Sequence, residues 1–327
     1  MTVTELVSAF GAYYLNSGQN QNSIYSQLYQ GFVTEQVFTQ VITDDTIWRA
    51  SESRHGRIVQ PFQKAFTPIG TAEFKPVEIR QYNIKADLSE YPDDIKSMWL
   101  GFLASMNVKR TDWPYVKYWI EKMIIPRIQQ DQELFEIGRG IFAAPTNNVA
   151  GPAGTSMNGI QKIINDHITA TRIVPIALGA IPTDEVQLVE YFEEYADGIP
   201  SLYQEIPMNS YIPQRLMRPY KRGFRKKYGK DADFTENANG TVSVKYANLT
   251  LVGLPSMNLK ADGSANDRIF TTPKENAIML RKGPQNSKGI FDIQAENRLV
   301  KLMTDWWMGV GFVIPELVWV NDGAPVV

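Results

Sequence analysis

Between residues 74 and 85, apolar Phe74, Val77, Ile79, Tyr82 and Ile84 are interleaved with charged Lys75, Glu78, Arg80 and Lys85. Such alternation marks a strand with one face packed and one face in water. The preceding residues are also β-rich and carry a turn signal at Pro68-Ile69-Gly70, so residues 56–92 read as a long two-stranded ribbon. This constrains the fold more than any other feature, because a two-stranded ribbon alone is at best marginally stable in water. The ribbon must lie on a surface, of its own chain or of a neighbour. Phe66, Ile69, Phe74, Val77 and Ile79 are the residues expected to contact a neighbouring subunit.

The chain has enough material for a sizeable core: 327 residues, 43% hydrophobic and 21% charged, with net charge −2. It contains no cysteine. That excludes disulfides, thiol catalysis and cysteine-ligated zinc or iron–sulfur clusters, and leaves burial or assembly with other copies to supply stability. Residues 1–50 show no strong period, and NSGQNQNSIYSQLYQG suggests an arm that leans on another surface. The first residues lack a basic start, Glu5 interrupts their apolar run, and no apolar stretch reaches the roughly 20 residues that a bilayer requires. Folding in a cytoplasm, with no membrane partner, is the expectation.

Residues 111–138, TDWPYVKYWIEKMIIPRIQQDQELFEIG, place Val116, Trp119, Ile120, Met123 and Ile124 at helical spacing. Thr111 or Asp112 can cap this helix, Pro114 suits its first turn, Gly138 can close it, and Pro126 predicts a bend or a short break. IQKIINDHI and TDEVQLVEYFEEYADG also read as helices, the second capped by Thr183 or Asp184, and TRIVPIALG reads as a strand. From residue 241 the chain is mainly strands. Within DRIFTTPKENAIMLRKG, Pro273 interrupts any single ladder and implies two short strands joined by a corner. Helices and strands in this arrangement give an α+β fold class.

Few residues look like reacting groups. His55 and His167 have no metal-ligand spacing, and no G-x-S-x-G elbow is present, so surface or capping roles are expected. GPAGTS at 151–156 lacks the lysine of a phosphate loop, and Asp44-Asp45, Asp93-Asp94 and Glu193-Glu194 read as solvated surface. No catalytic residue, cofactor or metal is expected. One charge feature is concentrated: residues 215–230 hold Arg215, Arg218, Lys221, Arg222, Arg225, Lys226, Lys227 and Lys230 and no acid. Taking these eight charges from a net −2 leaves −10 on the rest of the chain. Such a run can face nucleic-acid phosphates without sequence preference, pair with acidic neighbouring subunits, or form a solvated face.

An arm, a long ribbon, a long helix opening with TDWP, a Gly-rich mixed region and a strand-rich C-terminus follow one another. This order resembles the major capsid proteins of tailed double-stranded DNA bacteriophages, the Hong Kong ninety-seven fold. MNGIQKIIN at 157–165 is similar to the family's axial-domain opening, IPMNSYIPQRLMRPY at 206–220 to the stretch after its helix, and NLTLVGLPSM at 248–257 to its Gly-x-Pro strand corner. RIFTTPKENAIMLRKG, with the later run to GFVIPELV, is similar to its C-terminal part. The resemblance covers nearly the whole chain and rests on element order, since the family has no short diagnostic motif.

The resemblance implies an N-terminal arm over 1–55, an extended ribbon (the E-loop) over 56–92, and a peripheral domain with a spine helix over 93–139. It further implies an axial domain over 140–274 and return strands over 275–327. Pentamers and hexamers would form an icosahedral shell around non-specifically contacted double-stranded DNA. A separate scaffolding protein, a portal and minor capsid proteins would be partners, and the virion would be assembled in the host cytoplasm. Lys64 and Lys75 lie in the ribbon, but no partner Asn or assisting Glu is identified, so the isopeptide crosslink of some relatives is not carried over. The alternatives are an encapsulin-like compartment shell, separated from a phage by its genome neighbours, and a cytoplasmic hydrolase, marked by turnover in a monomer.

Overall fold

A computed structural model describes residues 33–55, 58–70, 72–107, 109, 114–229, 242–283 and 291–322, with Glu5 and Ser8. One five-stranded sheet holds β1 (Thr39–Ile42), β4 (Tyr82–Glu90), β9 (Ala277–Arg281), β10 (Asp292–Glu296) and β11 (Leu299–Phe312). A second holds β5 (Met208–Pro213), β6 (Val242–Ser243), β7 (Leu249–Leu254), β8 (Phe270–Thr272) and β12 (Trp319–Val320), in the order β12-β8-β5-β7-β6. The ribbon is the antiparallel pair β2 (Ile47–His55) and β3 (Ala72–Arg80).

The first sheet is organised by β11, which pairs antiparallel with β10, β4 and β9, while β1 runs parallel to β9. Its residues alternate half-buried and buried up to Trp307, then are all buried from Met308 to Phe312. The sequence therefore changes there from one-sided to two-sided burial. The root of the ribbon crosses at this point. A Cβ on Gly309 would meet the Arg80 carbonyl oxygen at 2.3 Å, so only glycine admits this crossing.

The pairing corrects the ribbon boundaries read from the sequence. The first ribbon strand lies at Ile47–His55, inside the segment read as arm, and Tyr82–Glu90 leaves the ribbon to join β11. The strand IWRASESRH has few apolar residues to show a period of two, because both faces of a free ribbon tolerate polar side chains.

The α-helices that position the sites are α1 (Val33–Val37), α2 (Pro92–Met106), α3 from Tyr115 to Ile137, α4 (Ile160–Thr169), α5 (Glu185–Asp197), α6 (Ser201–Gln204) and α7 (Gln214–Tyr228). Of the bend or short break expected at Pro126, no break occurs, since the helix runs on through it. In α3, α-helical stretches Tyr115–Tyr118 and Ile125–Asp131 alternate with wider π turns at Trp119–Ile124 and Gln132–Ile137. The Ile125 N–H donates to the Ile120 carbonyl, five residues back. This shift of register falls just before a ring that would otherwise lose a bond and strike a carbonyl. Pro114 caps the helix, Thr111, Asp112 and Trp113 lie outside the described residues, and Gly138 ends it in right-handed backbone at φ −83°.

Val116, Trp119, Ile120 and Ile124 are buried, and Met123 is half-buried, in a core shared with Trp306, Met308 and Val310 of β11. Trp319 belongs to a second core with Val189, Phe192, Tyr195, Tyr220 and Leu251, where α5 and α7 pack with the second sheet. Asp184 caps α5, its carboxylate accepting the Val186 and Gln187 N–H groups at 2.9 and 3.0 Å. TRIVPIALG is not a strand. Ile176 makes a single bridge to Asn321, and Pro175 has no N–H to extend it.

The corner at Pro273 joins β8 of one sheet to β9 of the other. Its Asn276 side chain donates to Thr272 Oγ1 at 2.8 Å and to the Ile314 carbonyl at 2.9 Å, and accepts the Ile314 N–H at 2.6 Å. The corner is thus fastened to another connection between the sheets, the chain leaving β11.

Candidate assembly surfaces: the ribbon tip and the basic helix

Residues 58–70, between β2 and β3, carry Ile58, Val59, Phe62 and Phe66 in the open, with the two phenylalanines 94% and 93% exposed. Polar side chains tie the loop together: Gln60 Nε2 donates to the Thr67 carbonyl at 2.6 Å, and Gln63 bonds Thr67 Oγ1. Ile69 is also exposed, whereas Val77 and Ile79 are buried against Ile278 and Leu280 of β9. That burial corrects the expectation that Val77 and Ile79 contact a neighbour, since their apolar surface is already used at the ribbon root. Phe74 pairs in register with Ser53, and its side chain lies outside the described ones. Phe62 was not singled out from the sequence, although an aromatic in the polar stretch QPFQKAF was available as a signal.

Most of the basic run folds into α7. Leu216, Met217, Tyr220, Gly223 and Phe224 form its buried face, at the spacing of an amphipathic helix. A Cβ on Gly223 would meet the Glu185 carbonyl oxygen at 1.8 Å, which sets how closely α7 crosses the start of α5. The acids of α5 then neutralise much of the run. Arg222 Nε and Lys226 Nζ reach the two Glu185 carboxylate oxygens at 2.5 and 2.7 Å. Lys227 Nζ lies 2.8 Å from Glu193 and 3.5 Å from Glu190. Arg215 pairs with Asp267. Hydrogen bonds from Lys226 and Arg222 hold the Glu185 carboxyl below the usual carboxylate range. None of the three readings weighed from the sequence anticipates this pairing within the chain. Arg218 and Arg225 are exposed and make no ion pair among the described residues, and Lys230 lies outside them.

No family model matches the chain, and no curated protein matches it. Solved structures do. A chain of "Satellite phage P4 procapsid including size determination (Sid) protein" matches at 12% identity and TM-score 0.57, with 94% of this chain and 91% of that one covered. A chain of Mycobacterium phage Ogopogo matches at 10% identity and 0.52, covering 88% and 91%, and one of Gordonia phage Cozz at 10% and 0.51, covering 91% and 87%. The chain has a phage-capsid fold. At such identities the likeness carries architecture and no residue roles.

On this capsid fold, α1 is fixed to α3 by a buried polar cluster that the sequence did not reveal. Thr34 Oγ1 donates to Glu133 Oε1 at 2.7 Å and lies 3.0 Å from Ser256 Oγ. Glu35 accepts from Gln40 Nε2 at 2.8 Å, and Arg281 lies 3.6 Å away. Burial pushes the Glu35 carboxyl up to about 7 against the pull of Arg281 and Gln40, and burial also raises Glu133. GPAGTS is a loop whose N–H groups at Gly154 and Ser156 donate to the buried Glu136 carboxylate at 2.8 and 2.9 Å. His167 is half-buried on α4 and depressed by burial and Arg172, and the side chain of His55 lies outside the described ones. No group of three or more metal-ligating side chains occurs among the described residues.

Proposed function

We propose that this chain is a major capsid protein whose copies form pentamers and hexamers of an icosahedral shell around packaged double-stranded DNA. The observation that carries this reading is an apolar ribbon tip on a capsid fold. Phe62 and Phe66 are held in water at the end of a long ribbon, where a neighbour's surface can bury them and the chain itself does not. In this reading the ribbon is the E-loop. The first sheet with α3 is the peripheral domain, the second sheet with α5 and α7 is the axial domain, and α1 ends the arm. The role is structural, with no catalytic step. Other copies, a scaffolding protein, a portal, minor capsid proteins and non-specifically held DNA are the partners, in a virion assembled in the host cytoplasm.

The test is to express the chain alone and with the scaffolding protein of its own genome, and to image the products by electron microscopy. Rings or closed shells support the reading. A protein that stays monomeric in both preparations refutes it.

A further inference from the structure

A cleft of about 430 Å³ opens where the end of α5, helix α6 and the turn before β7 meet. Asp197, Gln204, Glu205, Tyr246 and Asn248 line it, with two carboxylates and no cation. Its amide donors are already engaged inside the chain. Gln204 Nε2 donates to the Ile199 carbonyl at 2.8 Å, and Asn248 Nδ2 to the Glu205 carbonyl at 3.2 Å. What the cleft offers is acceptors and an aromatic face. Tyr246 stands at φ 64°, left-handed backbone that costs a ring-bearing residue conformational energy, and the residue is 87% exposed. Lys245 Nζ lies 5.1 Å from that ring centre, so the ring already faces one cation.

Carboxylates beside an aromatic face are the chemistry that recognises a guanidinium, through paired N–H···O bonds and stacking on the ring. Arg218 and Arg225 are seven residues apart on α7, two helical turns along one side, and exposed. In this copy neither lines the cleft. We propose that the cleft receives Arg218 or Arg225 from a second copy of this chain. A head-to-tail arrangement of this contact repeats around a ring, which is the form that the shell reading requires. The inference rests on the shell reading and adds to it a specific pair of surfaces within the ring.

The test uses the full chain in two charge-reversed forms. One carries Asp197→Lys with Glu205→Lys, and the other Arg218→Glu with Arg225→Glu. Each alone sets like charges against each other and is expected to form at least roughly tenfold fewer rings than the parent by mass photometry. An equimolar mixture is expected to restore rings, because each reversed cleft then meets a reversed helix. If the parent forms no rings, the shell reading has failed. If the parent forms rings and both variants do so as readily, or the mixture rescues nothing, this inference alone is overturned. Should either reversal unfold the chain by circular dichroism, the milder Asp197→Asn with Glu205→Gln decides. A higher protein concentration needed for rings supports the contact, and an unchanged one overturns it.

Discussion

The ribbon reads from the sequence as a contact with a neighbouring subunit and the basic run as a contact with a subunit, with nucleic acid or with solvent, and the structure treats the two differently. Phe62 and Phe66 at the tip stand almost wholly in water, whereas Arg215, Arg222, Lys226 and Lys227 of α7 find acids within the chain. The difference follows from reach. A long basic side chain on one helix meets an acid on the helix packed beside it, while a phenylalanine at the end of a ribbon is carried away from every core. Exposed apolar surface is therefore the stronger pointer to a partner, and a basic run must first be discounted for its pairs at home.

The largest effect is expected from replacing residues 58–70 with a short turn. The variant is expected to melt with the parent and to form no closed shells by electron microscopy; normal shells would remove the tip from assembly. Next come paired single substitutions in the same ribbon. Ile79→Ala opens the core at the ribbon root and is expected to cost roughly 2–5 kcal/mol in chemical denaturation. Phe66→Ser is expected to leave stability unchanged and to weaken assembly. Equal losses of stability would mean that root and tip are not separate in kind.

Buried and surface carboxylates give a third contrast, with opposite signs in pH. Glu35 titrates at about 7 when folded and lower when unfolded. Its contribution is complete below the unfolded value and is lost as pH rises from there to about 7, on the order of 3 kcal/mol. Glu35→Gln is expected to remove that decline in melts from pH 5 to 8; an unchanged slope assigns the decline elsewhere. Glu185 is depressed, so its contribution is present above the ordinary carboxylate range and is lost only as pH falls below it. The smallest effect is expected from changing Lys221, Arg222, Arg225, Lys226 and Lys227 jointly to Gln. Melting should fall modestly in protein kept unassembled, because pairs across α5 and α7 are lost, and added salt should shrink the difference. A variant with parental melting that loses only packaged DNA would make the run a nucleic-acid contact.

Strands with one packed face were legible, since Tyr82 and Ile84 sit in clear alternation with exposed neighbours. Which body covers that face was not, because Val77 reads the same whether it packs on β9 or on a neighbour. Helix α7 was missed although Leu216, Met217, Tyr220 and Phe224 carry its spacing; the charges drew attention from the pattern between them. Helix α2 was also missed, despite Trp99 and Leu103 at helical spacing and Asn107 closing it at φ 51°. The docking of Thr34 on Glu133 joins residues 99 apart, and no local rule reaches that far. Two ionisable groups now buried there look like ordinary surface residues in the sequence.

Asn276 has a mechanical consequence. Two of the straps between the sheets, at residues 273–276 and 313–318, are riveted to each other by the side chain of Asn276 and by the Val313 N–H on its carbonyl, so neither can slacken alone. The ribbon bears on β11 at Gly309, a few residues before the rivet. A neighbour tugging on the ribbon thus loads the sheet beside its fastening, and the shortest path for that load into the second sheet runs through Ile314 and Asn276 to Thr272.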